Sequence, residues 1–235
     1  MEKANAWTTY EGKDLVKLTD LNEDYKEFLS NGKTERECVR QSVALAKKAG
    51  YKDLNEMIAS KTPLKTGDKV YRVWMEKTIV LFQIGKEPLE AGLNILGAHI
   101  DSPRLDLKQN PLYEDTEMAL LDTHYYGGVK KYQWVTLPMA LHGVVVKKDG
   151  TKIELSIGEK EDEPVVGITD LLIHLSGKQM EKKASVVIEG EDLNVLIGSR
   201  PLKGEEKDAV KKQMLDLLKE EYNIEEEDFL SADRK

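Results

Sequence analysis

At 235 residues, with 33% charged side chains, 40% apolar ones and a formal charge of -8, the chain has the composition of an acidic globular protein, long enough for one large domain or two smaller ones. The lysines are scattered among glutamates and no basic tract is interleaved with aromatics, which argues against a nucleic-acid partner. The single cysteine, Cys38, excludes an internal disulfide and a C-x-x-C metal knuckle. With no signal-peptide-like N-terminus and no run near the ~18 to 20 apolar residues of a membrane span, the expectation is a cytoplasmic protein with no membrane partner.

The first element is a helix over residues 14–29, because Leu15, Leu18, Leu21, Tyr25 and Phe28 recur at helical spacing. Thr34 and Glu37 form a capping-box pattern that opens a second helix, with Val39, Val43 and Ala46 on one stripe and Gly50 as its stop. From Lys69 the period shortens: Val70, Val73 and Trp74, then Ile79 to Phe82 and Ile84, flank the polar break Glu76-Lys77 as a hairpin would. After Pro88 the run Leu93-Asn94-Ile95-Leu96 reads as a buried strand that delivers Gly97-Ala98-His99-Ile100-Asp101-Ser102-Pro103-Arg104 at its C-terminal end. In open α/β sheets that edge binds ligands. Beyond Pro111 the pattern becomes β-rich, with strands expected at 132–135, 141–146 and 153–157, the last two joined across Lys148-Asp149-Gly150. Helices are expected at 168–183 and 205–222, and an acidic, frayed tail from Glu225 to Lys235.

His99 and Asp101 are the pair with evident chemistry. On an extended segment residues two apart share a face, and a histidine oriented by a nearby carboxylate is a common zinc-ligand arrangement. Spacing alone leaves a second reading open, an ordinary half-buried histidine hydrogen-bonded to Asp101, since zinc normally takes three or four protein ligands. His124, beside Tyr125, and His142, on an apolar strand, read as structural. Trp134 reads as core or interface.

The run GAHIDSPRLDLKQNPLY, then Tyr125-Tyr126-Gly127-Gly128, then Leu141-His142-Gly143-Val144-Val145, resembles the M18 family of zinc aminopeptidases, the aspartyl aminopeptidase family, over essentially the whole chain. The resemblance implies an α/β metallopeptidase (phosphorylase/hydrolase-like) catalytic domain, here incomplete, interrupted by an inserted β-rich dimerisation and assembly domain. Residues 1–105 would be the N-terminal part of the catalytic domain and 106–235 the insert with its C-terminal helix. It implies removal of N-terminal residues, acidic ones among them, from peptide substrates by two zinc ions sharing a water. It also implies His99 as the first metal ligand, Asp101 as the carboxylate that orients the metal site, and a homo-oligomer built through the insert. His174 would then be the insert residue that reaches a neighbouring subunit's active site; the run Leu171-Leu172-Ile173-His174-Leu175 is equally an apolar helix stripe.

The family's remaining ligands, a bridging aspartate, a Glu-Glu pair, a further acid and a final histidine, follow the insert. None is recognisable here: Glu205-Glu206, Glu220-Glu221 and Glu225 to Glu227 read as a solvated face, and Asp233 has no matching context. One histidine cannot hold two zinc ions, so the chain alone is expected to be inactive. The competing expectation is a non-catalytic oligomerisation or regulatory partner of a full-length relative. A plain binding module with an accidental H-x-D is a third reading, opposed by the three motifs standing in order.

Overall fold

The computed structural model describes residues 3–230, which form a mixed α/β structure of two compact units, one ending at Asp101 and one beginning at Ser102. In the first unit α1 (Lys13–Asn31) precedes α2 (Glu35–Lys48). The predicted capping box is present: Thr34 Oγ1 accepts from the Glu37 amide, and the Glu37 carboxylate accepts from the Thr34 amide at 2.8 Å. These bonds satisfy amides that have no partner inside the helix. Gly50, at φ +85°, takes the chain out of the helix in a conformation that disfavours a side chain. Val39 and Ala46 are buried on the stripe the spacing indicates, beside Cys38.

α2 packs on a small sheet in which β1 (Lys52–Asp53) runs parallel to β2 (Lys69–Trp74), and β2 pairs antiparallel with β3 (Thr78–Gln83). The hairpin turn falls where the polar break predicts. Met75 and Glu76 both have positive φ, and the Lys77 amide donates to the Trp74 carbonyl at 3.0 Å, which closes a tight three-residue loop between the paired Trp74 and Thr78. Between β1 and β2 lies α3 (Leu54–Ala59), a short helix the sequence reading did not anticipate.

The expected buried strand at 93–96 is absent. Residues 92–103 carry no helix or strand, and Leu93, Ile95 and Leu96 are 62%, 82% and 100% exposed. A strand exists only where a neighbouring backbone pairs with it, and among the described residues none does.

The second unit is built on β4 (Arg104–Asp115) and β5 (Met118–Tyr126), with β8 (Val195–Gly198) on the far side of β5. Pro111 lies within β4. The register shifts between Leu107 and Leu112, so the proline, which has no amide to donate, sits in the bulge and is fully buried. β6 (Leu141–Val146) and β7 (Lys152–Ile157) form the predicted hairpin across Gly150. α5 (Ala209–Tyr222) covers β5 and β8, with Val210 against Leu112, Ala119, Leu121, Ile168, Ile188, Leu193 and Val195 as the core.

Three further expectations are corrected here. The strand at 132–135 is instead a single tight turn, Lys131–Gln133, from which Trp134 and Val135 pack half-buried against the core. The helix at 168–183 is reduced to α4 (Gly177–Met180), because Asp170 accepts from the Leu171 amide and from Gln179 Nε2. Such a local acceptor competes with helical hydrogen bonding. The residues around Glu225 are ordered rather than frayed: Glu226–Leu230 forms a helical turn on β4 and β6, with Ile224 and Asp228 buried. Residues 231–235, Asp233 included, lie outside the described residues. The acidic pairs at 205–206, 220–221 and 225–227 are exposed as expected, and no helix among the described residues is long and apolar enough to cross a membrane.

Candidate functional site

His99 and Asp101 meet, although no strand aligns them. His99 Nδ1 lies 3.1 Å from Asp101 Oδ1 and 3.1 Å from the Asp101 carbonyl. Both partners are acceptors, so the proton of the neutral ring belongs on Nδ1 and the lone pair on Nε2. With Nδ1 engaged, Nε2 is the nitrogen left for a metal. The imidazole is 84% exposed and the Asp101 side chain 37%, so both reach solvent from a segment that is itself irregular.

One contact of that segment with the rest of its unit runs through Ile100. The Cys38 thiol stands 3.9 Å from the Ile100 carbonyl and 3.5 Å from the Gly32 carbonyl. Gly32 is required there, because a Cβ would come within 2.9 Å of Cys38 Sγ, Gln41 Nε2 and the Phe28 carbonyl. Burial, and then the neighbouring carboxylates of Glu37 and Glu35, push the Cys38 thiol pKa up, so it is a packed thiol rather than a nucleophile.

Zinc fits these residues only as part of a larger set. A zinc centre takes four ligands, at least three of them from protein, and with Asp101 engaged at Nδ1 the pair supplies one, His99 Nε2. Among the described residues no group of three or more His, Cys, Asp or Glu side chains could hold a metal ion, so no reaction step through zinc is derived from this chain.

His174 belongs to the second unit. It is exposed on a turn, with Leu172, Ile173 and Leu175 69–71% exposed around it. The turn closes through the Leu175 amide donating to the Leu172 carbonyl at 2.8 Å and the Ser176 hydroxyl to the Ile173 carbonyl at 3.1 Å. The helix-stripe reading of this segment does not hold. His142 Nε2 is 2.8 Å from Glu159 Oε1, and the exposed His124 stacks on its neighbour Tyr125 at 5.3 Å.

Sequence reasoning missed one group at the start of the second unit. Arg104 Nε donates to Asp106 Oδ1 at 2.7 Å, its Nη1 to the Ser102 carbonyl at 3.3 Å, and its guanidinium lies 4.2 Å from the Tyr126 ring centre. Arg104 and Tyr126 are also cross-strand partners, and Gly127 sits against Pro103. The two motifs SPR and YGG thus meet at one end of the antiparallel β4–β5 pair. The signal was available in the i, i+2 spacing of Arg104 and Asp106.

A family model described as aminopeptidase I zinc metalloprotease (M18) matches residues 28–234. The probable M18 family aminopeptidase 1 of Clostridium acetobutylicum is 58% identical over 233 residues, which are 99% of this chain and 50% of that protein. The crystal structure of the M18 aminopeptidase from Thermotoga maritima superposes with a TM-score of 0.90 at 42% identity, covering 99% of this chain and 49% of that one. At 17% identity and a TM-score of 0.60, the S. cerevisiae mApe1 dodecamer shares the fold over 92% of this chain and 47% of its own. The chain spans about half the length of the curated relatives it matches. By its AHIDSP segment, the course of its backbone and these matches, the chain belongs to the M18 family of aminopeptidases.

Proposed function

We propose that this chain contributes one part of an M18 zinc aminopeptidase site, with His99 as a ligand of the first zinc and Asp101 as the carboxylate that orients it. The reading rests on a single observation: Nδ1 of His99 is held by Asp101 at 3.1 Å, which aims the other nitrogen outward. The complete site removes N-terminal residues, acidic ones among them, from peptides, and two zinc ions supply the polarised water. Residues 1–105 belong to the catalytic domain and 106–235 to an inserted assembly domain. Through that insert the protein forms a homo-oligomer in which His174 reaches a neighbouring subunit's site. The dodecamer of the yeast relative and the exposure of the 171–175 turn support this. The chain by itself is inactive, because one ligand does not hold a dinuclear centre and no group of three or more donors stands among the described residues.

A chimera tests the assignment. This chain replaces the matching half of the C. acetobutylicum relative, and hydrolysis of aminoacyl anilides with N-terminal Asp, Glu or Leu is measured beside zinc content. Activity in the chimera, none in the chain alone, and loss of both zinc and activity in His99→Ala are expected, with a fall of roughly 10–100-fold in Asp101→Asn. An active His99→Ala chimera overturns the ligand assignment. The second reading, a non-catalytic oligomerisation or regulatory partner, is favoured by the exposed apolar turn at 171–175 and predicts binding to a full-length relative without any gain in hydrolysis.

A further inference from the structure

Of the asparagines in the chain, Asn31 alone is followed by glycine, and it stands exposed at a helix end. It is the last residue of α1, and Gly32 has already left the helix at φ -119° and ψ 69°. A backbone amide can attack the side-chain amide that precedes it when two conditions hold. The nitrogen must be uncrowded, and Gly32 has no Cβ. The asparagine must leave the helical angle, and Asn31 does so by the fraying of one helix end. In a regular helix end the Gly32 amide donates to the Phe28 carbonyl, but here that carbonyl also accepts from Gln41 Nε2 at 3.0 Å. Phe28 therefore keeps a partner when the Gly32 amide turns toward Asn31. Every other asparagine is followed by a residue with a Cβ, and Asn110 by a proline with no N–H at all. Asp149-Gly150 shares the glycine, but the Asp149 carboxylate is an anion engaged by the Thr151 amide at 2.8 Å, which makes it a poor electrophile.

We propose that Asn31 is a self-modification site that deamidates through a succinimide to aspartate and isoaspartate. The Gly32 nitrogen gives its proton to water and bonds to Cγ of Asn31, and the side-chain nitrogen leaves as ammonia. A second water then opens the ring. Cleavage at Cγ restores the ordinary backbone with an aspartate; cleavage at the main-chain carbonyl leaves the chain running through Cγ, with one extra backbone carbon. That carbon falls where the chain has no slack. A Cβ on Gly32 would already come within 2.9 Å of Cys38 Sγ, and the next two amides, of Lys33 and Thr34, donate to Glu37 Oε2 at 2.9 and 2.8 Å. Isoaspartate at this position displaces Gly32 and opens the buried Cys38 thiol to solvent, whereas aspartate leaves the backbone as it was.

The test holds the full chain at mildly alkaline pH and maps its peptides by mass spectrometry over time, with electron-transfer fragmentation to separate isoaspartate from aspartate. Asn31 is expected to deamidate about tenfold or more faster than any other asparagine, a barrier difference of about 1.4 kcal/mol, and Asn31→Gln to remove that product. The isoaspartate fraction is expected to react with a disulfide reagent at Cys38 about tenfold faster than fresh chain. Asn31→Asp, which has the charge without the extra carbon, stays within about threefold of fresh chain. An Asn31 that stays intact in the folded chain while it deamidates in urea overturns the proposal, because the helix end then protects it. Equal rates at Asn31 and Asn94 overturn it as well. Cys38 reactivity that is unchanged in the isoaspartate fraction, or raised equally in Asn31→Asp, overturns the displacement of Gly32.

Discussion

Replacing Glu114 by alanine removes the N-terminal cap of a helix that begins 95 residues later. One carboxylate oxygen of Glu114, on β4, accepts from the amides of Val210 and Lys211, each at 2.9 Å. These are the second and third residues of α5, the positions an N-cap side chain normally serves. The residue that occupies the N-cap, Asp208, makes no such bond because it sits in the left-handed region at φ 52°. An ordinary N-cap is worth about 1 kcal/mol, hydrogen bonds to a charged acceptor about 1.5–3, and a carboxylate at a helix N-terminus a further 0.3–1 or so. Discounting for partial exposure, Glu114→Ala should cost about 2–3 kcal/mol in urea unfolding followed by far-UV circular dichroism. Glu114→Gln, which keeps an acceptor and loses the charge, should cost about 1 kcal/mol. Asp208→Ala is the control and should change stability by less than about 0.5 kcal/mol. A loss below that figure for Glu114→Ala, or an equal loss for Asp208→Ala, would refute the tertiary cap.

Leu193 has no exposed surface at the centre of the second unit's core, and Leu193→Ala should cost about 2–5 kcal/mol, read as a lowered melting temperature. Thr123, 1% exposed, donates from Oγ1 to the Leu193 carbonyl at 2.6 Å. Thr123→Val should therefore lose about 1–2 kcal/mol in the same measurement, although the valine is nearly isosteric. The Glu163 carboxyl is held down to about 2, first by Lys160 Nζ and then by the amides of Gly158 and Lys160. Because the folded pKa lies below the ordinary 4.5, the stabilisation is complete above pH 4.5 and is lost as pH falls toward 2. Acid titration of Glu163→Gln should accordingly show a weaker loss of stability over that window than the native chain. Cys38, 5% exposed with its thiol pKa raised by burial, should react with a disulfide reagent far more slowly in the folded chain than after denaturation.

Local chemistry was legible, and chemistry that needs a distant partner was not. Thr34 and Glu37 act on each other three residues apart, and the β2–β3 and β6–β7 turns are decided within a few residues, so sequence spacing found all three. The 93–96 run has every mark of a buried strand except the neighbour that would make it one, and periodicity carries no information about neighbours. The strand through Pro111 was not anticipated, because the bulge that absorbs the proline is set by the pairing of β4 with β5. Of the candidate site, His99 and Asp101 were found because their contact spans two residues. The Arg104–Tyr126 pair went unseen because its partners stand on different strands.

The bond from Thr123 to the Leu193 carbonyl joins residues 70 positions apart, and β8 reaches β5 only across that span. β4 with β5 and β6 with β7 are hairpins that close over a few residues, on the microsecond scale typical of such structures. Closing the long loop costs more chain entropy before any contact repays it. The order of assembly in the second unit follows from this: the two hairpins first, then β8 with Leu193. Destabilising changes at Val195 should therefore speed unfolding and leave the folding rate nearly unaltered.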